Sequence, residues 1–204
     1  MKITITNYFT WYNKGDAGIV QGTIETLKNI FGTDIEINIL SYMPNEDSKR
    51  FLKDKNVKGV YSNMVNPYNQ DTHKYEMSKK ALAINIIKDL IQVNINKTKF
   101  LNNNKTMQIL ENSDLIVAVG GGYLGGENLG SNIMHLNQIY MNTKVNKPVI
   151  LWGTSIEPTN NKKVDFLIKH ITKRLTHILP RETITYKYLD KFLPKDIILL
   201  RRIK

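Results

Sequence analysis

Five consecutive apolar residues, Leu115-Ile-Val-Ala-Val119, run straight into Gly120, Gly121 and Gly122, and no other stretch constrains the fold as strongly. The run is too short to cross a membrane and too continuously apolar for a strand with one wet face. It therefore reads as the centre of a parallel sheet covered on both sides. Gly125 and Gly126 follow after Tyr123 and Leu124. Residues without Cβ let the backbone turn sharply and bring N–H groups close to a ligand at the carboxyl end of the strand. Gly120, Gly121 and Gly122 are thus candidate binding residues for a phosphate, a carboxylate or a sugar hydroxyl. Simple close packing of loop and helix is the alternative.

The flanking pattern repeats the same unit. Ile3 to Phe9 reads as a first strand, followed by the polar turn Thr10 to Asp16 and a helix from Ala17 to Phe31 with Val20, Ile24, Leu27 and Phe31 inward. Asp16 is placed to cap that helix. Ile35 to Leu40 and Val57 to Tyr61 read as the next strands, with Pro44 ending regular pairing and a short helix over 47–53. Residues 62–71 read as irregular. A long helix spans 76–94, with Met77, Leu82, Ile86, Ile87, Leu90 and Ile91 at helical spacing, and 96–104 is a loop or a joint before a helix over 105–112. After the glycines come a helix over 132–142, a strand over 148–152, the loop Gly153 to Pro158, a helix carrying Val164 and Ile168, a strand near 176–180, a helix carrying Tyr186 and Leu189, and a last strand over 196–200. The fold class is α/β, a Rossmann-like parallel sheet with helices on both faces. The 204 residues suit a single domain whose last unit, 196–204, is incomplete.

Ligands of open α/β sheets bind beyond the carboxyl ends of strands. That rule nominates Asn13, Lys14, Gly15 and Asp16 after the first strand, Thr154 and Ser155 after the strand at 148–152, and Arg181 and Glu182 after Leu179 and Pro180. The bland alternatives are a solvated turn at Lys14, turn capping by Thr154 and Ser155, and an Arg181–Glu182 pair that only braces the loop. Ser155 lacks the G-x-S-x-G setting of a hydrolase elbow, which removes a serine hydrolase. Gly120-Gly-Gly-Tyr-Leu-Gly125 lacks G-x-G-x-x-G in a first βαβ unit, which disfavours a dinucleotide oxidoreductase.

Cysteine is absent, and His73, His135, His170 and His177 show no metal-ligand spacing. No apolar leader or long apolar run is present, so the expected location is cytoplasmic, with peripheral association to the inner membrane face left open. The formal charge is +11, concentrated late: residues 160–204 hold 12 Lys and Arg against 4 Asp and Glu. Without interleaved aromatics this reads as a solvated basic face, and no nucleic-acid partner is expected.

Four segments, Asn13-Lys-Gly-Asp-Ala-Gly-Ile19, Asn112 to Leu124, Trp152-Gly-Thr-Ser-Ile156 and Leu179-Pro-Arg-Glu-Thr183 followed by Tyr188-Leu, occur in the order in which they stand in the polysaccharide pyruvyl transferases. On these motifs the chain resembles that family over nearly its whole length. It departs at Gly18, where the family has a small residue such as Ala, at Gly125-Gly-Glu127, and at Thr154 and Glu157, where the family reads Gln and Gly.

The resemblance implies the N-terminal half of a GT-B-like two-domain transferase. It implies movement of the enolpyruvyl group of phosphoenolpyruvate onto a saccharide acceptor as a pyruvate ketal, without a cofactor and without a metal. It further implies Asp16 or Glu127 as the catalytic carboxylate, the Gly120 to Gly122 backbone as a ligand seat, and Arg181 as a neutraliser of donor charge. No histidine occupies these loop ends in the sequence reading, so the proton donor is expected from a second domain absent from this chain. A separately encoded C-terminal half is the implied partner. A non-catalytic binding half and a nucleotide-sugar glycosyltransferase fragment are the competing readings.

Overall fold

Residues that must be shielded on both faces find that shielding only in the middle of a layered sheet, and Leu115–Val119 lies there, buried at every position. In the computed structural model, which describes residues 1–69, 71–72, 74–125 and 129–199, this strand pairs in parallel with the first strand on one side and with Val149–Thr154 on the other. In chain order the elements are β1 (Lys2–Tyr8), α1 (Lys14–Phe31), β2 (Glu36–Ser41), α2 (Pro44–Phe51), β3 (Val57–Ser62), β4 (Tyr68–Asn69), β5 (Lys74–Tyr75), α3 (Lys79–Ile95), α4 (Lys97–Asn103) and α5 (Lys105–Glu111). β6 (Leu115–Val119), α6 (Leu129–Asn142), β7 (Val149–Thr154), α7 (Lys162–Thr172), β8 (His177–Pro180) and α8 (Thr183–Leu189) complete it.

The main sheet runs β3-β2-β1-β6-β7-β8 with every pairing parallel. Chain direction across the sheet reverses between β1 and β6, so their connections leave toward opposite edges and open a crevice at the carboxyl rim. One core, with Ile3, Ile24, Ile37 and Val117, lies on one face of the sheet, and a larger one, with Met107, Ile116, Leu136 and Ile168, lies on the other. The Rossmann-like reading of the sequence therefore holds.

Several local expectations do not. Asn13, and not Asp16, caps α1: its Oδ1 accepts from the N–H groups of Gly15 (3.1 Å) and Asp16 (3.3 Å), which moves the helix start to Lys14. Pro44 opens α2 at its first turn, where a missing N–H costs nothing. The irregular stretch holds β4, which pairs with β5 just beyond it, Tyr68 with Tyr75 and Asn69 with Lys74. In α3, Leu82, Ile86 and Val93 are buried whereas Ile87 and Ile91 are exposed, because the helix is apolar on both faces and periodicity cannot choose between them. The segment 96–104 is itself mostly the helix α4. Thr154 closes β7 and does not stand in the loop after it. The last expected strand reduces to one parallel bridge, Ile178 with Ile198, and Leu200 lies outside the described residues.

Candidate functional site

The loop leaving β1 is pinned from below. Asp47 of α2, fully buried, accepts from the N–H of Trp11 (2.8 Å), the hydroxyl of Thr10 (3.3 Å) and the hydroxyl of Ser41. Burial raises its pKa while those three donors pull it down. With the loop so held, Asn13 can cap α1, and Asp16 is carried by the first turn to the rim of the crevice. A cleft of about 920 Å³ opens there, inside the range of roughly 300–1,000 Å³ usual for small-molecule sites. Asn13 and Asp16 line it from one side, Gly122, Tyr123 and His135 from another.

Asp16 faces the glycine loop: a Cβ built on Gly121 would lie 3.9 Å from its Oδ1. Burial raises the carboxyl pKa above its ordinary value, and among the described residues no cation pairs with it. The amino end of α1 works in the opposite sense, favouring the carboxylate. A half-buried carboxylate with raised basicity beside an open cleft is the arrangement expected of a group that takes a proton from a hydroxyl.

The glycines serve two purposes. A Cβ on Gly120 would fall 1.9 Å from the carbonyl oxygen of Gly153, and Gly125, at φ +99°, has the carbonyl oxygen of Glu157 2.3 Å from the same position. Those two residues let the loop lie along the extension of β7, where Ser155 N–H donates to Gly121 O (3.3 Å), Glu157 N–H donates to Leu124 O (3.2 Å), and Leu124 bridges to Ile156. Gly122, exposed and with open space at its Cβ position, is the one of the three that lines the cleft. Lys14 reaches instead over the Trp11 ring (5.9 Å), and Gly15 is exposed beside the cap.

Thr154, Ser155, Arg181 and Glu182 stand on the same rim but form a separate brace between β7 and β8. Ser155 Oγ donates to Glu182 Oε2 (2.9 Å), and Thr185 Oγ1 donates to Glu182 Oε1 (2.7 Å) while accepting from Ile156 N–H (2.8 Å). Arg181 N–H donates to Thr154 O (3.2 Å), and the arginine side chain is exposed. No ion pair joins Arg181 to Glu182 among the described residues. The β8 end of this brace, two strand positions from β6, is about 10 Å from the crevice, whereas its β7 end meets the glycine loop through the Ser155 N–H to Gly121 O bond. Glu127 lies outside the described residues.

The expectation that no histidine would reach these loop ends is corrected. His135 of α6 lines the cleft, with its ring stacked on Tyr123 at 3.9 Å. His135 is buried in α6 beside Leu136 and at the same time forms part of the cleft wall. Asn7, at the end of β1, holds it: Asn7 Nδ2 donates to His135 O (3.0 Å) and lies 3.4 Å from His135 Nδ1. Asn7 has φ 65°, the one described residue other than glycine with positive φ, and strain of this kind at a strand end recurs at functional sites. The Tyr123 hydroxyl donates to Val119 O and its pKa is pushed up by burial, so it stays a phenol. In sequence only the αL tolerance of asparagine hinted at Asn7.

Burial lowers the His135 pKa from 6.5 to about 3, so the ring is neutral at pH 7. The fold then binds fewer protons than the unfolded chain, and stability present above pH 6.5 is lost as pH falls toward 3. By pH 4.5 the loss is about 3 kcal/mol. Urea melts at pH 7 and pH 4.5 should therefore show a smaller drop for His135→Gln than for the wild type. Equal drops would contradict the burial of a neutral ring.

Among the described residues no group of three or more His, Cys, Asp or Glu is placed to hold a metal ion, and no helix is long and apolar enough to cross a membrane. Residues 13–200 match the family model described as polysaccharide pyruvyl transferase. The chain is 21% identical over 198 residues to the amylovoran biosynthesis protein AmsJ of Erwinia amylovora, covering 94% of this chain and 45% of that protein. It superposes on a crystal structure of UDP-N-acetylglucosamine 2-epimerase with a TM-score of 0.58 at 10% identity, over 98% of this chain and 47% of the other, a likeness of fold. The chain thus spans about half the length of the relatives it matches.

Proposed function

The chain belongs to the polysaccharide pyruvyl transferase family, and from that premise we propose that its cleft at the β1–β6 crossing is the acceptor side of an enolpyruvyl transfer from phosphoenolpyruvate to a saccharide. The observation carrying this reading is Asp16, a carboxylate of raised pKa at the rim of a cleft, facing Gly121 and flanked by the open backbone of Gly122.

In the proposed reaction Asp16 takes the proton of an acceptor hydroxyl as that oxygen bonds to C2 of the enolpyruvyl group. The methylene carbon gains a proton and becomes methyl. A second hydroxyl then bonds to C2, the bond from C2 to the phosphate oxygen breaks, and inorganic phosphate leaves with the electron pair and takes up the second hydroxyl's proton. The product is a pyruvate ketal. His135, neutral at pH 7, is assigned to positioning through Asn7 and Tyr123, and not to proton donation. The proton donor and most cationic support for the donor's carboxylate and phosphate are assigned to a C-terminal half, joined or separately encoded. Arg181, exposed on the same rim, is the local candidate for that support, and Glu127 remains the alternative carboxylate.

A binding half without catalysis of its own is the second reading, favoured by the neutral state of His135, which leaves the proton donor to be supplied from elsewhere. Mass analysis separates the two. A candidate polysaccharide incubated with phosphoenolpyruvate, this chain and a family C-terminal half should gain the mass of a pyruvate ketal, and gain none when this chain is left out. No gain with both halves folded and present would contradict the transferase reading.

A further inference from the structure

The wall of the cleft opposite the glycine loop is made of aromatic rings. Phe9 follows β1, and the hairpin β4–β5 brings Tyr68 and Tyr75 beside it. Phe9 and Tyr68 meet edge to face at 5.0 Å and 71°, and Tyr68 and Tyr75 at 5.4 Å and 88°. All three line the cleft that also holds Asp16. Phe9 and Tyr68 further line an adjoining apolar recess of about 320 Å³ with Met43, so the aromatic surface continues past a single ring's length.

Part of this wall has an ordinary structural role. Tyr68 and Phe9 pack on a buried cluster that contains Tyr42, Leu82 and Ile86. Tyr75 does not belong to that cluster, and it is 44% exposed while lining the cleft. Among the described residues its one ring contact is the edge-to-face packing on Tyr68, and the rest of the ring is open to the cleft, continuing the aromatic surface of Phe9 and Tyr68.

The chemistry of the wall selects what it would take. Ring faces carry partial negative charge, which repels a small polyanion such as phosphoenolpyruvate and attracts the polarised C–H groups on one face of a pyranose. Among the described residues Lys79 is the one lysine or arginine lining the cleft, too little for a donor with both a carboxylate and a phosphate. We propose that Phe9, Tyr68 and Tyr75 form a stacking wall for a pyranose ring of the saccharide acceptor, turning that ring's hydroxyl edge toward Asp16 and Asn13. The assignment of the sugar as acceptor rests on the transferase reading; the binding of a pyranose to this wall does not.

The test uses this chain alone and four defined probes: the methyl glycosides of glucose, galactose and mannose, and lactose, with open-chain glucitol as the polyol control. Saturation-transfer NMR should show at least one pyranoside receiving magnetisation from tyrosine ring protons and glucitol receiving none. Tyr75→Ala should weaken the bound pyranoside about two- to tenfold, and Tyr75→Phe should retain it. Transfer to none of the four pyranosides, equal binding of glucitol, or unchanged affinity in a folded Tyr75→Ala protein would each overturn the subsite. The mass assay reports independently. Ketal formation with Tyr75-independent sugar binding would sink the subsite and leave the transferase. Tyr75-dependent sugar binding without ketal formation would sink the transferase and leave a saccharide site.

Discussion

Replacing Gly120 by alanine should destabilise the fold by about 3 kcal/mol or more, lowering the melting temperature by roughly 6–12 °C. The new methyl would sit 1.9 Å from the carbonyl oxygen of Gly153 and 2.6 Å from the amide nitrogen of Thr154, both backbone atoms of the neighbouring strand. No side chain can swing aside to make room. The sheet would have to part between β6 and β7 just where the loop to the cleft begins, so the loss of stability and the loss of binding should arrive together. Gly122→Ala is the control: nothing lies within 4 Å of its Cβ position, and its melting temperature should stay near the wild type. Thermal melts followed by circular dichroism decide the matter. A Gly120→Ala protein that melts with the wild type would show that the two strands are farther apart than described.

Asp16→Asn should cost about 10²–10⁴-fold in ketal formation, measured with a C-terminal half supplied, while the protein remains folded. Asparagine keeps the size of the side chain but cannot take a proton. Its effect on stability should have the opposite sign. Burial raises the folded-state pKa of Asp16 above its ordinary 3.8, so the fold favours the protonated acid. That contribution is fully present below the unfolded pKa and is lost as pH rises through the folded one. At pH 7 the variant should melt no lower than the wild type, and its advantage should disappear below about pH 4. The low-pH limb of the activity profile should vanish with the carboxyl group. A variant with wild-type turnover and an unchanged profile would remove Asp16 from the chemistry and leave Glu127 as the carboxylate to test.

The two variants also show how far the residues themselves announced the outcome. The parallel sheet and the shared rim followed from continuous apolar runs ending in glycine or polar turns, because a strand covered on both faces leaves a plain mark in sequence, whereas the order of the strands across the sheet did not. The glycines were visible as a group, but their division was not. Whether a missing Cβ admits a neighbouring strand, as at Gly120, or leaves room for a ligand, as at Gly122, depends on what packs against it from elsewhere in the chain. Asn13 and Asp16 are three residues apart with similar capping chemistry, and only the backbone decides which accepts the amides. His135 and Asn7 were hidden for a different reason. They are 128 residues apart and meet through tertiary packing, so neither carries a local signature. The hairpin of Tyr68 and Tyr75 has two rungs, Tyr68 with Tyr75 and Asn69 with Lys74, shorter than any periodicity can reveal. Ser155 and Glu182 stand at strand ends as the rule for α/β sheets requires, yet their side chains bond each other across the brace.

One measurement addresses the central claim directly, namely that the β1–β6 crevice, and not the β7–β8 brace, receives substrate. Amide NMR spectra of this chain with phosphoenolpyruvate and the methyl pyranosides added together should shift Gly15, Asp16, Gly122 and Tyr123, and leave Lys2 and Asp114, at the opposite rim, unmoved. Shifts confined to Ser155, Arg181 and Glu182, or appearing at the opposite rim, would contradict it.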